Sequence, residues 1–193
     1  MSVRWNIPII SPLVFACWKI DARRKLRWIE DWLPASGTLI DIGSGPGSLL
    51  EVLRGQGYKA EGLDIKDNSY RKNLSPHVYD GQIMPFAVQS YETALLATMS
   101  HHTPDPDAIV REAARIAPRL VIIEDVYEGR VMEWLTKRLD SLMNLEFVGH
   151  PHSNRTDKAW RESFADLGLT LRHTSVHRVG GIFKQAVYIL ETQ

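Results

Sequence analysis

Residues 39–50 read Leu-Ile-Asp-Ile-Gly-Ser-Gly-Pro-Gly-Ser-Leu-Leu, LIDIGSGPGSLL. A short apolar run meets three glycines, Gly43, Gly45 and Gly47, and a helix-like run follows. Glycine accepts positive φ and lets a ligand approach the backbone, and the N–H groups that open a helix attract anions. A strand, a glycine loop and a helix in this order start an alternating α/β domain. The glycine pair alone also fits a plain tight turn, the lesser of the two readings.

Outward from the loop the alternation continues. Thr38–Ile42 reads as a strand, Gly47–Gln56 as a helix stopped by Gly55 and Gly57, and Lys59–Asp64 as a second strand. Lys66–Pro76 is polar with room for a helical turn. His77–Tyr79 is a brief third strand, and Thr93–Met99 a fourth, apolar enough for burial on both faces. Pro106–Ala117 is a helix with proline in its first turn, and Leu120–Asp125 is a fifth strand. Val131–Asn144 and Thr156–Leu167 read as further helices. Leu169–Arg178 and Phe183–Glu191, joined at Val179-Gly180-Gly181, read as a hairpin. The pattern implies a mostly parallel sheet covered on both faces, with one antiparallel strand and a ligand crevice outside the carboxyl ends of the strands. The loops after Ile42, Asp64, Tyr79 and Met99 then lie side by side. Residues 1–36 form a helical arm: an apolar stretch, Ile7–Trp18, carrying Pro8 and Pro12, then a helix over Asp21–Leu33 with Asp21 as its N-cap. The arm covers a core of residues 37–193, and the chain, 1–193, is one domain.

Totals narrow the function. The 193 residues are 44% hydrophobic and 24% charged, with zero formal net charge. A nucleic-acid substrate is disfavoured, because such proteins usually carry excess positive charge to displace counterions. The single cysteine, Cys17, excludes an internal disulfide and points to a reducing, cytoplasmic setting. The apolar part of the arm is too short to span a bilayer, which leaves contact at a membrane surface as the lesser alternative.

Neither familiar phosphate loop fits. The dinucleotide fingerprint needs Gly-x-Gly-x-x-Gly, and here Ser48 stands at the third position; no Gly-Lys-Ser/Thr follows for a P-loop. Asp41 instead puts a carboxylate into a buried strand, which requires a hydrogen-bonding or cationic partner. Asp64 ends the second strand, where an acid can take both hydroxyls of a ribose. The pair asks for a ligand with a ribose and an amine-bearing group.

With these residues in place, the chain resembles the class I S-adenosylmethionine-dependent methyltransferases, in particular small single-domain ones such as the quinone-biosynthesis C-methyltransferases. The resemblance runs from about Leu39 to the C-terminus. It rests on LIDIGSGPG, on GLDI with Asp64, on YDGQIMPF, and on MSHHTPDPDAIVREAARIAPRLVIIED. It implies a Rossmann-like α/β fold whose seven-stranded, mostly parallel sheet has an antiparallel C-terminal strand and helices on both faces. It also implies S-adenosylmethionine as cofactor and S-adenosylhomocysteine as product. Asp41, Gly43, Ser44, Gly45 and Gly47 would hold the methionine part, Asp64 the ribose, and Ile65 would pack on the adenine. Asp80 would bond the adenine amino group with Gly81 beside it, and Thr98 and Met99 would lie near the methionyl chain. The chain departs from the family at Tyr91-Glu92, where an aromatic-Asp pair is common, and at Ala117-Pro118-Arg119, where Pro-Gly-Gly is.

Methyl transfer from a sulfonium needs chiefly alignment, and a base only where the acceptor must lose a proton. His101 and His102, after the fourth strand, are the base candidates. Trp18 in the arm and His150, His152 and Asn154 in the loop before the last helix are candidates for an acceptor pocket. The histidine spacings would also permit a metal, but nothing fixes a geometry and none is expected. The reading is an enzyme acting on a small-molecule acceptor. The alternatives are a non-catalytic module of the same fold and a nucleotide-linked oxidoreductase.

Overall fold

The computed structural model of the chain describes residues 10–100, 103–127, 155–180 and 183–192. Its first element is helix α1 (Ile10–Ile29), followed by a 3-10 turn over Glu30–Trp32. The helix begins well before the expected Asp21. Pro12 is compatible with this because it falls in the first turn, where its missing N–H has no intrahelical partner to lose. Asp21 is therefore no N-cap. It lies mid-helix and pairs with Arg24 and, at 3.0 Å, with Lys25.

The remaining elements follow the alternation: β1 (Thr38–Ile42), α2 (Ser48–Gly55), β2 (Lys59–Asp64), β3 (His77–Val78), β4 (Thr93–Ala97), α3 (Pro106–Ile116), β5 (Arg119–Val126), α4 (Asp157–Asp166), β6 (Thr170–Val179) and β7 (Phe183–Glu191). A 3-10 turn at Lys72–Leu74 supplies the expected helical turn in the polar stretch. Strand β4 stops two residues short of the expected end, because Thr98 adopts a left-handed backbone, φ +55°. Local chemistry sets the helix starts: the Asp105 carboxylate accepts from Ala108 N–H at 3.0 Å, and the Thr156 hydroxyl accepts from Ala159 N–H at 3.2 Å. The helix expected over Val131–Asn144 lies outside the described residues.

The seven strands form one sheet in the order β3-β2-β1-β4-β5-β7-β6. Strands β3, β2, β1, β4 and β5 pair in parallel, and β7 runs antiparallel between β5 and β6. The strand order reverses between β1 and β4, so the four expected loops do share one edge.

The pleat divides the apolar residues between two cores. Ile40, Ile42, Leu96, Leu120 and Ile122 pack with α3 and α4, including the fully buried Trp160 and Phe164. Leu39, Leu95, Val121, Ile123 and Ile189 pack on the other face with α2 and with Phe15, Leu26 and Ile29 of α1. Helix α1 thus crosses half the sheet. Its Phe15 ring stacks on Tyr70 at 4.2 Å, near α2, while Trp28 stacks on His177 at 4.2 Å and Trp32 on His173 at 4.9 Å, both on β6. Leu95 is 1% exposed between the neighbours of β4 on the α1 face. We expect Leu95→Ala to lower unfolding free energy by about 2–5 kcal/mol, read as an earlier urea midpoint with unchanged slope.

Candidate functional site

The loop between β1 and α2 turns through three left-handed glycines, Gly43 (φ +73°), Gly45 (+52°) and Gly47 (+80°). Two are also sterically required. A Cβ on Gly43 would come within 2.8 Å of Met99 Cβ, and one on Gly47 within 2.8 Å of Leu74 Cβ. The loop amides are occupied by the protein. Gly43 and Ser44 N–H donate to Leu63 C=O at 2.8 and 3.2 Å, Gly47 N–H donates to Ser44 C=O at 2.9 Å, and Gly45 N–H donates to Asp64 Oδ2 at 2.8 Å. A phosphate cradle needs such groups turned outward, and these four face inward. Recognition here falls to side chains.

Two carboxylates flank the loop. Asp64, half-buried at the end of β2, also accepts from Lys66 N–H at 3.2 Å through Oδ1. Asp41 is 3% exposed on β1. Burial, reinforced by the negative charge of Asp64 and opposed by Lys25, raises its pKa to about 7. A buried carboxylate in that state gains a great deal from a cation placed beside it.

The third loop meets the second. Gly81 (φ +84°) is close enough to Ile65 that a Cβ there would lie 3.2 Å from Ile65 Cγ2. Ile65 is itself 54% exposed, an aliphatic face open at the crevice edge. Asp80 is engaged in its own turn, its Oδ1 accepting from Gln82 and Ile83 N–H at 2.9 and 3.3 Å. Arg115 braces the loop by donating to Phe86 and Met84 C=O at 2.7 and 2.9 Å. Burial and the nearby Asp64, Asp80 and Glu112 push the Tyr79 hydroxyl up to about 12, so it keeps its proton.

The fourth loop closes the crevice. Thr98 Oγ1 donates to Ala97 C=O at 2.7 Å and accepts from Lys25 Nζ at 2.8 Å. Met99 lies over Gly43. Glu124 on β5 is fully buried and accepts from Ser100 N–H at 2.8 Å, which fixes the backbone at Ser100.

The crevice therefore assembles Asp41, Gly43, Gly45, Gly47, Asp64, Ile65, Gly81, Asp80, Thr98 and Met99. Ser44 is different: its hydroxyl is turned toward β2, 2.9 Å from where a Gly62 Cβ would be. Trp18 is partly buried against the core under α1. His101, His102, His150, His152 and Asn154 lie outside the described residues. Sequence reading passed over Lys25 and Glu124. Lys25 falls within a turn of the inward-facing Ala22, Leu26 and Ile29, so a charged residue on the apolar stripe was the available signal. Glu124 sits in an otherwise apolar strand, the same signal as Asp41. A depression lined by Pro34, Glu92, Thr93, Arg119 and Glu191 lies at the opposite, amino end of β4 and β5.

Comparison with known proteins agrees with this fold. Residues 18–174 match the family described as Methyltransferase domain. A ubiquinone biosynthesis O-methyltransferase from Thiobacillus denitrificans is 29% identical over an alignment of 105 residues that covers 48% of this chain and 45% of that protein. The match thus spans about half the length of that relative. Among solved structures, a SAM-dependent methyltransferase from Methanosarcina mazei superposes with a TM-score of 0.68 at 18% identity, covering 85% of this chain and 96% of the other. A magnesium protoporphyrin IX methyltransferase from Synechocystis, with bound SAH, gives 0.64 at 16% identity, covering 91% of this chain and 83% of the other. At these identities the structural likeness is one of fold.

The raised pKa of Asp41 has a consequence for stability. In the unfolded chain the group ionises near its ordinary value, so below that value it opposes folding little, and the penalty grows as pH rises toward about 7. We expect Asp41→Asn to stabilise the ligand-free protein at pH 8 by on the order of 1–4 kcal/mol, with a smaller gain at pH 5. Thermal melts of both proteins at the two pH values check this.

Proposed function

Because this chain belongs to the methyltransferase domain family, in its class I S-adenosylmethionine-dependent form, we propose that it binds S-adenosylmethionine in the crevice above β1, β2 and β4 and transfers the methyl group to a small-molecule acceptor. The observation that carries the reading is the state of the glycine loop. Its four amides are engaged within the protein and do not form a phosphate cradle, while the carboxylates of Asp41 and Asp64 stand on either side of the loop.

These residues suit the cofactor. Asp41 offers a desolvated carboxylate to the amino-acid ammonium. Asp64 retains acceptor capacity on both oxygens for ribose hydroxyls. The exposed Ile65, with Gly81 at its side, offers an apolar surface to a base. Asp80 has one oxygen outside its turn bonds for an amino group. When bound, the cofactor supplies a methyl carbon on a sulfonium with a good leaving group.

The chain's own task is then alignment and exclusion of water. Thr98 and Met99 would flank the methionyl chain, and His101 or His102 would take a proton where the acceptor must lose one. Trp18, with His150, His152 and Asn154, is our candidate set for the acceptor side. The relative from Thiobacillus denitrificans, named for O-methylation in ubiquinone biosynthesis, makes a phenolic acceptor the first class to try. Among the described residues no helix is long and apolar enough to cross a membrane. The exposed Cys17 fits a reducing, cytoplasmic setting. Keeping both carboxylates also favours a cofactor-binding protein over a pure interaction module, which would have no need of Asp41 at the cost of burying it.

Calorimetric titration should show binding of S-adenosylhomocysteine and none of a nicotinamide dinucleotide; the reverse would refute the reading. Asp64→Ala should weaken S-adenosylhomocysteine binding by at least about tenfold, as expected for loss of hydrogen bonds to a charged group. Incubation with labelled methyl donor and fractionated phenolic metabolites then identifies the acceptor.

A further inference from the structure

Helix α1 buries one apolar face and exposes another. Phe15, Ala22, Leu26 and Ile29 turn to the sheet and are at most 5% exposed. On the opposite side Leu13 and Ile20 stand 67% and 66% exposed. Ala16 and Cys17, also exposed, fill the turn between them. The spacing makes one continuous helical stripe. It leads on to Arg23 and Arg27, exposed on the same side in the next two turns. A single exposed leucine needs no reason, but a contiguous apolar stripe does.

The charges around the stripe are mainly of one sign. Arg24 and Lys25 meet Asp21, whereas Arg23 and Arg27 have no ion-pair partner among the described residues. Beside the apolar half, Lys19 at 2.8 Å and Arg71 at 3.3 Å share the one carboxylate of Glu51, which leaves that cluster net positive. Exposed acids return only where α1 ends, at Glu30 and Asp31. An apolar stripe flanked and followed by cations complements the headgroup region of an anionic bilayer. The aliphatic side chains enter the acyl boundary, and the guanidinium groups meet lipid phosphates. A second copy of the chain fits this face badly. An antiparallel pair of α1 helices would lay the arginines of one copy on the apolar half of the other, and a parallel pair would set arginine against arginine.

We propose that the outward face of α1, from Leu13 to Arg27, is a docking surface for an anionic lipid bilayer, on which the chain lies peripherally. The helix then has two tasks, covering the sheet with one face and holding the membrane with the other. The proposal does not depend on the identity of the cofactor.

The test is co-sedimentation of the full chain with vesicles, either phosphatidylcholine alone or equal parts phosphatidylcholine and phosphatidylglycerol. Wild-type protein should bind the anionic vesicles at least about tenfold more tightly, and the difference should shrink as salt is raised. The double variant Leu13→Gln/Ile20→Gln should weaken binding to anionic vesicles by at least about tenfold. Arg23→Gln/Arg27→Gln should bring it to within about threefold of binding to phosphatidylcholine alone. All four side chains face outward, so the thermal melts of both variants should match wild type. Wild-type protein that binds neither vesicle, or both equally, overturns the proposal with no variant required. So does a Leu13→Gln/Ile20→Gln protein that binds as wild type does. A wild-type dimer in sedimentation equilibrium that this variant disperses overturns it in favour of a second copy on the same stripe.

Discussion

A parallel sheet cannot leave a face in water, and that constraint organises this molecule. The β1–β2 and β4–β5 crossovers place α2 and α3 on the sheet, but these cover only part of the surface that β1, β4 and β5 expose. The remaining face, widened by β7 and β6, has to be covered by something outside the alternation. Helix α1 does this, with Phe15, Leu26 and Ile29 in the core on that side and two tryptophans stacked on histidines of β6. Because α1 crosses near the carboxyl ends of the strands, its polar residues arrive where the crevice is. The polar contacts of Asp21, Arg24 and Lys25 with one another and with Thr98 and Gln185 result from that placement.

Much of this was legible in the residues. Strands β1 and β2 fall where the apolar runs place them, since an apolar run bounded by glycines or a turn leaves little freedom. The hairpin at the end is equally clear from its Gly-rich turn. What escaped was α1. Pro12 reads as a helix breaker, and its harmless position in a first turn is visible only once the start of the helix is known. The helical spacing after Asp21 was read correctly, but the same spacing extends back through Phe15 and Trp18. Thr98 likewise reads as the continuation of a strand, and only tertiary context gives it its left-handed turn.

The site was legible as a set of residues and less so as a set of interactions. Asp41 and Asp64 stand out because carboxylates in apolar strands demand a reason. Their geometry is different from what the letters suggest: the glycine loop, which invites reading as an anion cradle, directs its amides at Leu63, Ser44 and Asp64. A loop can be rich in glycine because neighbouring side chains crowd it, as Met99 and Leu74 do here, and no spacing rule distinguishes that from ligand contact. Ser44 shows the converse, a polar residue in the loop that faces the sheet.

The long-range contacts of α1 also set an order of events. Arg24 meets Gln185, Trp28 meets His177, and Arg119 donates to Trp32 C=O at 3.2 Å. During synthesis the helix emerges before the strands it rests on. Its apolar stripe therefore has no complete surface to dock on until β7 has inserted between β5 and β6. Non-local closure of this kind slows folding and prolongs the exposure of the helix to other apolar surfaces. It also makes α1 and the β6–β7 hairpin interdependent, since damage to those strands would loosen the helix and the lysine it carries into the crevice.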